Sequence, residues 1–80
     1  MYKVYVLHAP TYDKIYIGQT SNLEKRMLSH NEFGKGYTSR FRPWELIYEE
    51  DQETRSAAMR RERALKSSRG RHWIRTELLE

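Results

Sequence analysis

Residues 14–30, KIYIGQTSNLEKRMLSH, read as a strand, a glycine and a helix joined with almost no linker. Ile15–Gly18 has the β-branched and aromatic content of a short strand. It returns from a first strand, Tyr2–Leu7, across a hairpin loop from His8 to Lys14 that holds Pro10 and Asp13. Strand alternation sets Val4, Val6, Ile15 and Ile17 on one face and Tyr5, Leu7, Tyr16 and Gly18 on the other. Ser21-Asn22-Leu23-Glu24 fits a capping box, with Ser21 as N-cap and Glu24 reaching back, and predicts a helix to about His30 or Asn31. Leu23 and Met27 mark its buried stripe. Asn22, Arg26 and His30, spaced i, i+4, i+8, form a ridge along the edge of that stripe. Spacing alone would leave Arg26 facing solvent and His30 partly buried.

Outward from this junction, Gly34 and Gly36 mark a loop and Arg42-Pro43 an extended segment. Trp44–Glu49 reads as a third strand, with Trp44, Leu46 and Tyr48 alternating against Glu45 and Glu49. A charged helix is predicted from about Glu53 to Ser67. Gly70 then interrupts, and Arg71–Leu79 reads as a last helix with Trp73, Ile74 and Leu78 facing inward. The order ββαβαα predicts an α+β fold, a three-stranded antiparallel sheet flanked by helices, with residues 1–80 as a single domain.

A chain of 80 residues without cysteine has neither disulfides nor a thiolate metal site to staple it. Its core must come from the 38% hydrophobic residues, including six Tyr and two Trp. No apolar run approaches a membrane span and the N-terminus lacks a signal-peptide pattern, so a soluble, cytoplasmic protein is expected. The net charge of +4 is unevenly spread. Arg55–Arg75 carries eight positive residues and one acid, Glu62, a net +7, while Glu45–Glu53 carries five acids and no base. Such separation favours a polyanionic partner, although a solvated helix face would show the same charges. Glu62 interrupts the apolar stripe of its helix between Ala58 and Leu65. A carboxylate there calls for a cation: a metal, an i, i+4 pair with Lys66, or a neighbouring arginine.

Tyr5 in KVY, Tyr16-Ile17-Gly18, Asn22-Leu23-Glu24-Lys25-Arg26, His30, GYTSR at 36–40 with RPWELIY at 42–48, and the Glu62 helix occur in order along essentially the whole chain. Together they resemble the GIY-YIG nuclease superfamily. The likeness is to its stand-alone, single-domain bacterial group, related to the nuclease module of the excision-repair incision subunit and to homing endonucleases. Two positions depart from the pattern. Lys3 replaces the first signature glycine, and Gln19 stands where some branches carry a lysine.

The resemblance implies a metal-dependent endonuclease acting on DNA (RNA not excluded), with low or structure-guided sequence preference and a tie to DNA repair. It implies catalytic roles for Tyr5, Tyr16, Arg26, His30 and Glu62 gathered on one concave face. In these roles Tyr5 takes a proton from water, Tyr16 hydrogen-bonds nearby, and Arg26 clamps a phosphate oxygen with His30 as a second polar contact. Glu62 holds one Mg²⁺ or Mn²⁺ ion. Gly18 would let the phosphate approach the sheet. Together with the charge pattern, the candidate nucleic-acid contacts are Gly18, Gln19, Asn22, Lys25, Arg40, Arg60, Arg61, Arg63 and Lys66. No membrane partner is expected, and the protein should be a monomer or weak homodimer. The alternative is a non-catalytic nucleic-acid-binding module on the same fold, which needs the arginines but neither Glu62 nor a divalent ion.

Overall fold

The computed structural model describes residues 1–79. Strands β1 (Tyr2–Ala9), β2 (Lys14–Thr20) and β3 (Glu45–Gln52) form one antiparallel sheet in the order β2-β1-β3. Helix α1 (Leu23–Leu28) continues into a π-helical turn, Ser29–Phe33, and a 3₁₀ turn spans Tyr37–Arg40. Helix α2 (Arg55–Lys66) precedes α3 (Ser68–Trp73), which ends in a second π-helical turn, Ile74–Leu78. Among the described residues no helix is long and apolar enough to cross a membrane.

The central strand explains the two-sided core. Val4, Tyr5, Val6 and Leu7 are each 0% exposed, because helices cover one face of β1 and loops with α1 cover the other. Val4, Val6 and Ile17 meet Ala58, Leu65 and Ile74 from α2 and the α3 extension. Tyr5, Leu7 and Ala9 meet Trp44, with Tyr16, Leu23, Met27 and Phe41 packed around them. This is the division that strand alternation predicts.

Three local expectations change. Asn22, not Ser21, caps α1: its Oδ1 accepts from the Lys25 amide at 3.0 Å. The two residue types are near-equal caps, so pattern alone could not choose between them. In β3, pairing shifts between Val6↔Tyr48 and Leu7↔Leu46, which leaves Ile47 as an extra residue. This bulge reverses the alternation and sends Tyr48 to the helix-covered face, where its ring meets Trp73 edge-on at 5.4 Å. The third change concerns the break after α2, which falls at Ser67 rather than Gly70. The Ser67 hydroxyl accepts from the Gly70 amide and so starts α3. Gly70 lies buried inside α3, where a Cβ would strike the Ala64 and Leu65 backbone. It is there for close helix contact, not for interruption.

The bulge also builds a polar lock on this face. Arg61 Nε lies 2.9 and 3.0 Å from the Glu50 carboxylate oxygens, while Tyr48 and Gln52 donate to the same group at 2.7 and 2.6 Å. Burial pushes the Glu50 carboxyl up, but the hydrogen bonds from Tyr48, Arg61 and Gln52 outweigh it and hold its pKa below the usual value. Arg61, expected to contact nucleic acid, is therefore engaged inside the fold. The acidic run that sequence shows as a block of charge supplies its anchor.

Candidate active site

The junction of β2 and α1 places four of the expected residues together. Tyr5 lies opposite Gly18 in the β1–β2 register, and its ring passes over the bare glycine backbone. A Cβ on Gly18 would sit 2.7 Å from the Tyr5 hydroxyl oxygen and 3.1 Å from Tyr16 Cε2. Gly18 is thus required first by Tyr5. The Tyr5 and Tyr16 rings are 6.3 Å apart, and the His30 ring lies 5.8 and 4.8 Å from them respectively.

The Tyr5 hydroxyl is hydrogen-bonded to His30 Nε2 at 2.8 Å, and His30 Nδ1 to the Thr38 hydroxyl at 3.0 Å. His30 is 4% and Thr38 7% exposed. Burial, helped by the charges of Arg26 and Arg42, pushes the His30 pKa down to about 4. The imidazole is therefore neutral at physiological pH, with one ring nitrogen donating and the other accepting. Burial raises the Tyr5 pKa. The Arg26 guanidinium beside the hydroxyl pulls the other way, and the charges of Tyr16 and Glu62 push it further up. Tyr5 accordingly stays a phenol at neutral pH.

Sequence reasoning missed the frame behind His30. Arg42 Nε donates to the His30 carbonyl at 2.6 Å, and its Nη2 donates to the carbonyls of Gly34 and Ser29 at 2.6 and 3.2 Å. These bonds satisfy carbonyls around the π-helical turn and fix where α1 ends. Asn31 and the Trp44 backbone bond reciprocally at 3.1 and 2.7 Å, and Trp44 Nε1 donates to the Thr38 carbonyl at 2.7 Å. Thr38, Arg42 and Trp44 lie within the quoted GYTSR and RPWELIY stretches. No local periodicity there could show that they converge on His30.

Glu62 is placed differently from the other four. Its helix packs, through Ala58 and Leu65, on the sheet face opposite Tyr5, so the five residues do not share one concave face. They straddle the free edge of β2 instead. Glu62 lines a depression of about 300 Å³ with Gln19, Met59, Arg63 and Lys66. Gln19 also borders a second depression of about 400 Å³ that contains Arg26 and Arg55. Gln19 is the wall between the carboxylate and the guanidinium. Glu62 also pairs with Lys66 at 2.7 Å, one of the alternatives its spacing allowed. Lys66, an expected nucleic-acid contact, is thereby shared with it.

The remaining expected contacts lie at the surface. Lys25, Arg40, Arg60 and Arg63 are exposed, as is Asn22 with its side chain used in capping. A groove of about 730 Å³ between α1 and the β3 edge is lined mainly by Leu23, Met27, Leu28 and Leu46 and holds none of the catalytic candidates. Among the described residues no three His, Asp or Glu side chains form a preformed metal cage. A single carboxylate still suits Mg²⁺, which keeps several waters and completes its shell with substrate phosphate oxygens.

His30 gives the site a pH signature. Its folded pKa lies below the ordinary value of 6.5, so the unfolded chain binds more protons at mildly acid pH. Stability should therefore fall as pH drops from about 6.5 to about 4, by on the order of 3 kcal/mol. Denaturant melts across this window should show the loss in wild type and a much smaller one in His30→Gln. Equal slopes in the two proteins would mean that His30 is not held neutral.

The GIY-YIG catalytic domain family matches residues 1–75 of the chain. A UPF0213 protein of Staphylococcus haemolyticus is 44% identical over 57 residues, covering 69% of this chain and 68% of its own. A UPF0213 protein of Natronomonas pharaonis is 41% identical over 66 residues, covering 80% and 75%. One from Syntrophus aciditrophicus is 38% identical over 69 residues, covering 82% and 79%. No solved structure matches the chain.

Proposed function

The chain belongs to the GIY-YIG catalytic domain family, and we propose that it is a cytoplasmic, divalent-metal-dependent endonuclease. In this reading residues 1–80 act as one unit that hydrolyses phosphodiester bonds in DNA with low or structure-guided sequence preference. The observation that carries it is the Tyr5–His30–Tyr16–Arg26 cluster at the β2 edge, with Glu62 and Arg26 lining neighbouring depressions that share Gln19.

Hydrolysis needs a water that loses a proton, positive charge opposite the phosphorane, and help for the leaving 3′ oxygen. Arg26 is exposed at the rim and would take non-bridging phosphate oxygens with its planar fork. Tyr5 is 0% exposed and its pKa is raised. It therefore serves better as the orienting phenol, held by neutral His30, than as the group that meets water. Tyr16 is partly exposed in the same cluster; once its own proton has passed to solvent, its phenolate, beside the Arg26 guanidinium, would take the water's proton. This reverses the order of the two tyrosines that the family resemblance implies. A divalent ion held by Glu62 would supply charge for the phosphorane and lower the pKa of a bound water. Lys66 engages only Oε2 of Glu62, which leaves Oε1 to take the ion.

Incubation with linear, flapped and branched DNA, and with RNA of the same sequences, tests the reading. Cutting is expected with Mg²⁺ or Mn²⁺ and not with EDTA. Binding without cutting under every condition would favour the non-catalytic module, a reading with one observation in its support: the closed Glu62–Lys66 pair.

Arg60 and Arg63 should act as phosphate ligands, whereas Arg61 should not. Arg60→Ala with Arg63→Ala should weaken binding to all sequences alike and flatten the log–log salt slope by roughly 0.9 for each phosphate no longer neutralised. Arg61→Ala should leave that slope intact and lower the melting temperature, because Glu50 loses its charged partner. The opposite pattern would place the binding track on the β3 side of α2.

A further inference from the structure

A second aromatic surface continues from Tyr16 away from the phosphate-facing cluster. Trp44 meets Tyr16 at 6.2 Å and Phe41 at 6.4 Å, both edge-on. Phe41 in turn holds Tyr12 of the β1–β2 hairpin at 5.4 Å and Tyr37 of the 3₁₀ turn at 5.0 Å. The two outer rings stay in water, Tyr12 49% and Tyr37 52% exposed. Lys14 Nζ stands 5.5 Å over the Phe41 ring. A depression of about 250 Å³, lined by Ile15, Tyr16, Ile17, Tyr37, Lys66 and Arg71, joins Tyr37 to the candidate active site.

Folding gives little reason to leave two tyrosine rings half in water, propped on a third ring and flanked by lysine and arginine. Aromatic faces interleaved with cations are what a strand of unpaired nucleotides needs. The rings stack on bases whatever their identity, and the cations follow the backbone. Paired bases cannot use such a surface, since their faces are already stacked inside the duplex. We propose that the Tyr37–Phe41–Tyr12 ladder binds a short run of nucleotides with unpaired bases next to the scissile phosphate. The substrate would then be DNA carrying a single-stranded segment at the cut, not continuous duplex. This rests on the nuclease reading above and narrows its substrate class. Tyr37 receives the base nearest Tyr16, Tyr12 a later one, and Lys14 and Arg71 lie along the connecting phosphates.

The test measures equilibrium binding in EDTA, where nothing is cut. Fluorescence anisotropy compares a blunt duplex with the same duplex carrying a short single-stranded tail, on either strand. The tail should raise affinity. Tyr12→Ala with Tyr37→Ala should abolish that gain, about tenfold for each stacked base. Blunt-duplex affinity and its salt slope should stay unchanged. Tyr12→Phe with Tyr37→Phe should keep the gain, because stacking needs the ring and not the hydroxyl. Both rings also pack on Phe41, so the alanine variant should melt somewhat earlier, and binding is compared at a temperature where melts show every variant folded. A tail without effect, or an alanine variant that weakens blunt and tailed DNA equally, overturns the ladder and leaves the nuclease reading standing. A protein that binds neither DNA in EDTA overturns the ladder, and one that in addition cuts nothing with Mg²⁺ or Mn²⁺ overturns both.

Discussion

Glu62→Gln should reduce metal-dependent cleavage by at least about 10²–10³-fold, the usual cost of removing a group that stabilises charge in the transition state. The amide keeps the size of the side chain but not the charge that would hold a divalent ion. Folding should barely change. The Glu62–Lys66 pair is an i, i+4 pair with side chains 23% and 47% exposed, and such pairs contribute only about 0.3–0.5 kcal/mol. The spacing allowed a pair with Lys66 and the fold makes it, so removing the charge should bring no gain in stability. DNA affinity in metal-free buffer should hold or rise slightly, since one negative charge is gone and Lys66 is released. The Glu62 charge also pushes the Tyr5 pKa up, so ultraviolet titration of the variant should show that tyrosine ionising somewhat earlier. Normal cutting by Glu62→Gln would remove this residue from the chemistry, and an early melt would make it a structural ion pair.

The second large effect is expected at Gly18, where stability and activity should fall together. In Gly18→Ala the new methyl carbon would lie 2.7 Å from the Tyr5 hydroxyl oxygen and 2.9 Å from Cζ, distances that force the ring to move. Tyr5 is fully buried and bonded to His30, so it cannot move without unpacking the face around Leu7 and Trp44. Overpacking of this kind costs about 1–3 kcal/mol, a large share of the stability of a domain this small. Cleavage should fall even at temperatures where the variant is folded, because the Tyr5–His30 bond and the position of Tyr16 both depend on that ring. Adding Tyr5→Phe to Gly18→Ala removes the closest clashing atom. It should restore part of the missing stability, a non-additivity that a double-mutant cycle would read directly. A Gly18→Ala protein that melts and cuts like wild type would show that the ring does not need the bare backbone.

Much of this was legible in the chain because the signals are local. Period-2 alternation in Tyr2–Leu7 and Ile15–Gly18 divided the two faces of the sheet correctly, down to Tyr5 sharing a face with Gly18. The Ser-Asn-Leu-Glu run marked the start of α1 to within one residue. The i, i+4, i+8 spacing set Arg26 and His30 on one ridge of α1 but left Arg26 facing solvent; only the fold brings the His30 ring to Tyr5 and Tyr16. Charge separation located the basic helix, and Glu62 stood out by interrupting its stripe.

What the chain could not show depends on partners far apart in sequence. Which faces Trp44, Leu46 and Tyr48 occupy was decided by a bulge, and a bulge is a property of two paired strands. Arg61 looks like its neighbours Arg60 and Arg63 until β3 sets Glu50 beneath it. Gly70 reads as a helix breaker until the end of α2 is packed against it. His30 is neutral because Thr38, Arg42 and the buried rings enclose it, a matter of desolvation that no spacing encodes. The position of Glu62 across the β2 edge from Tyr5 was decided in the same way. An apolar stripe fixes which side of α2 faces the sheet, but only the packing of α2 on the tertiary structure decides which edge its carboxylate overlooks.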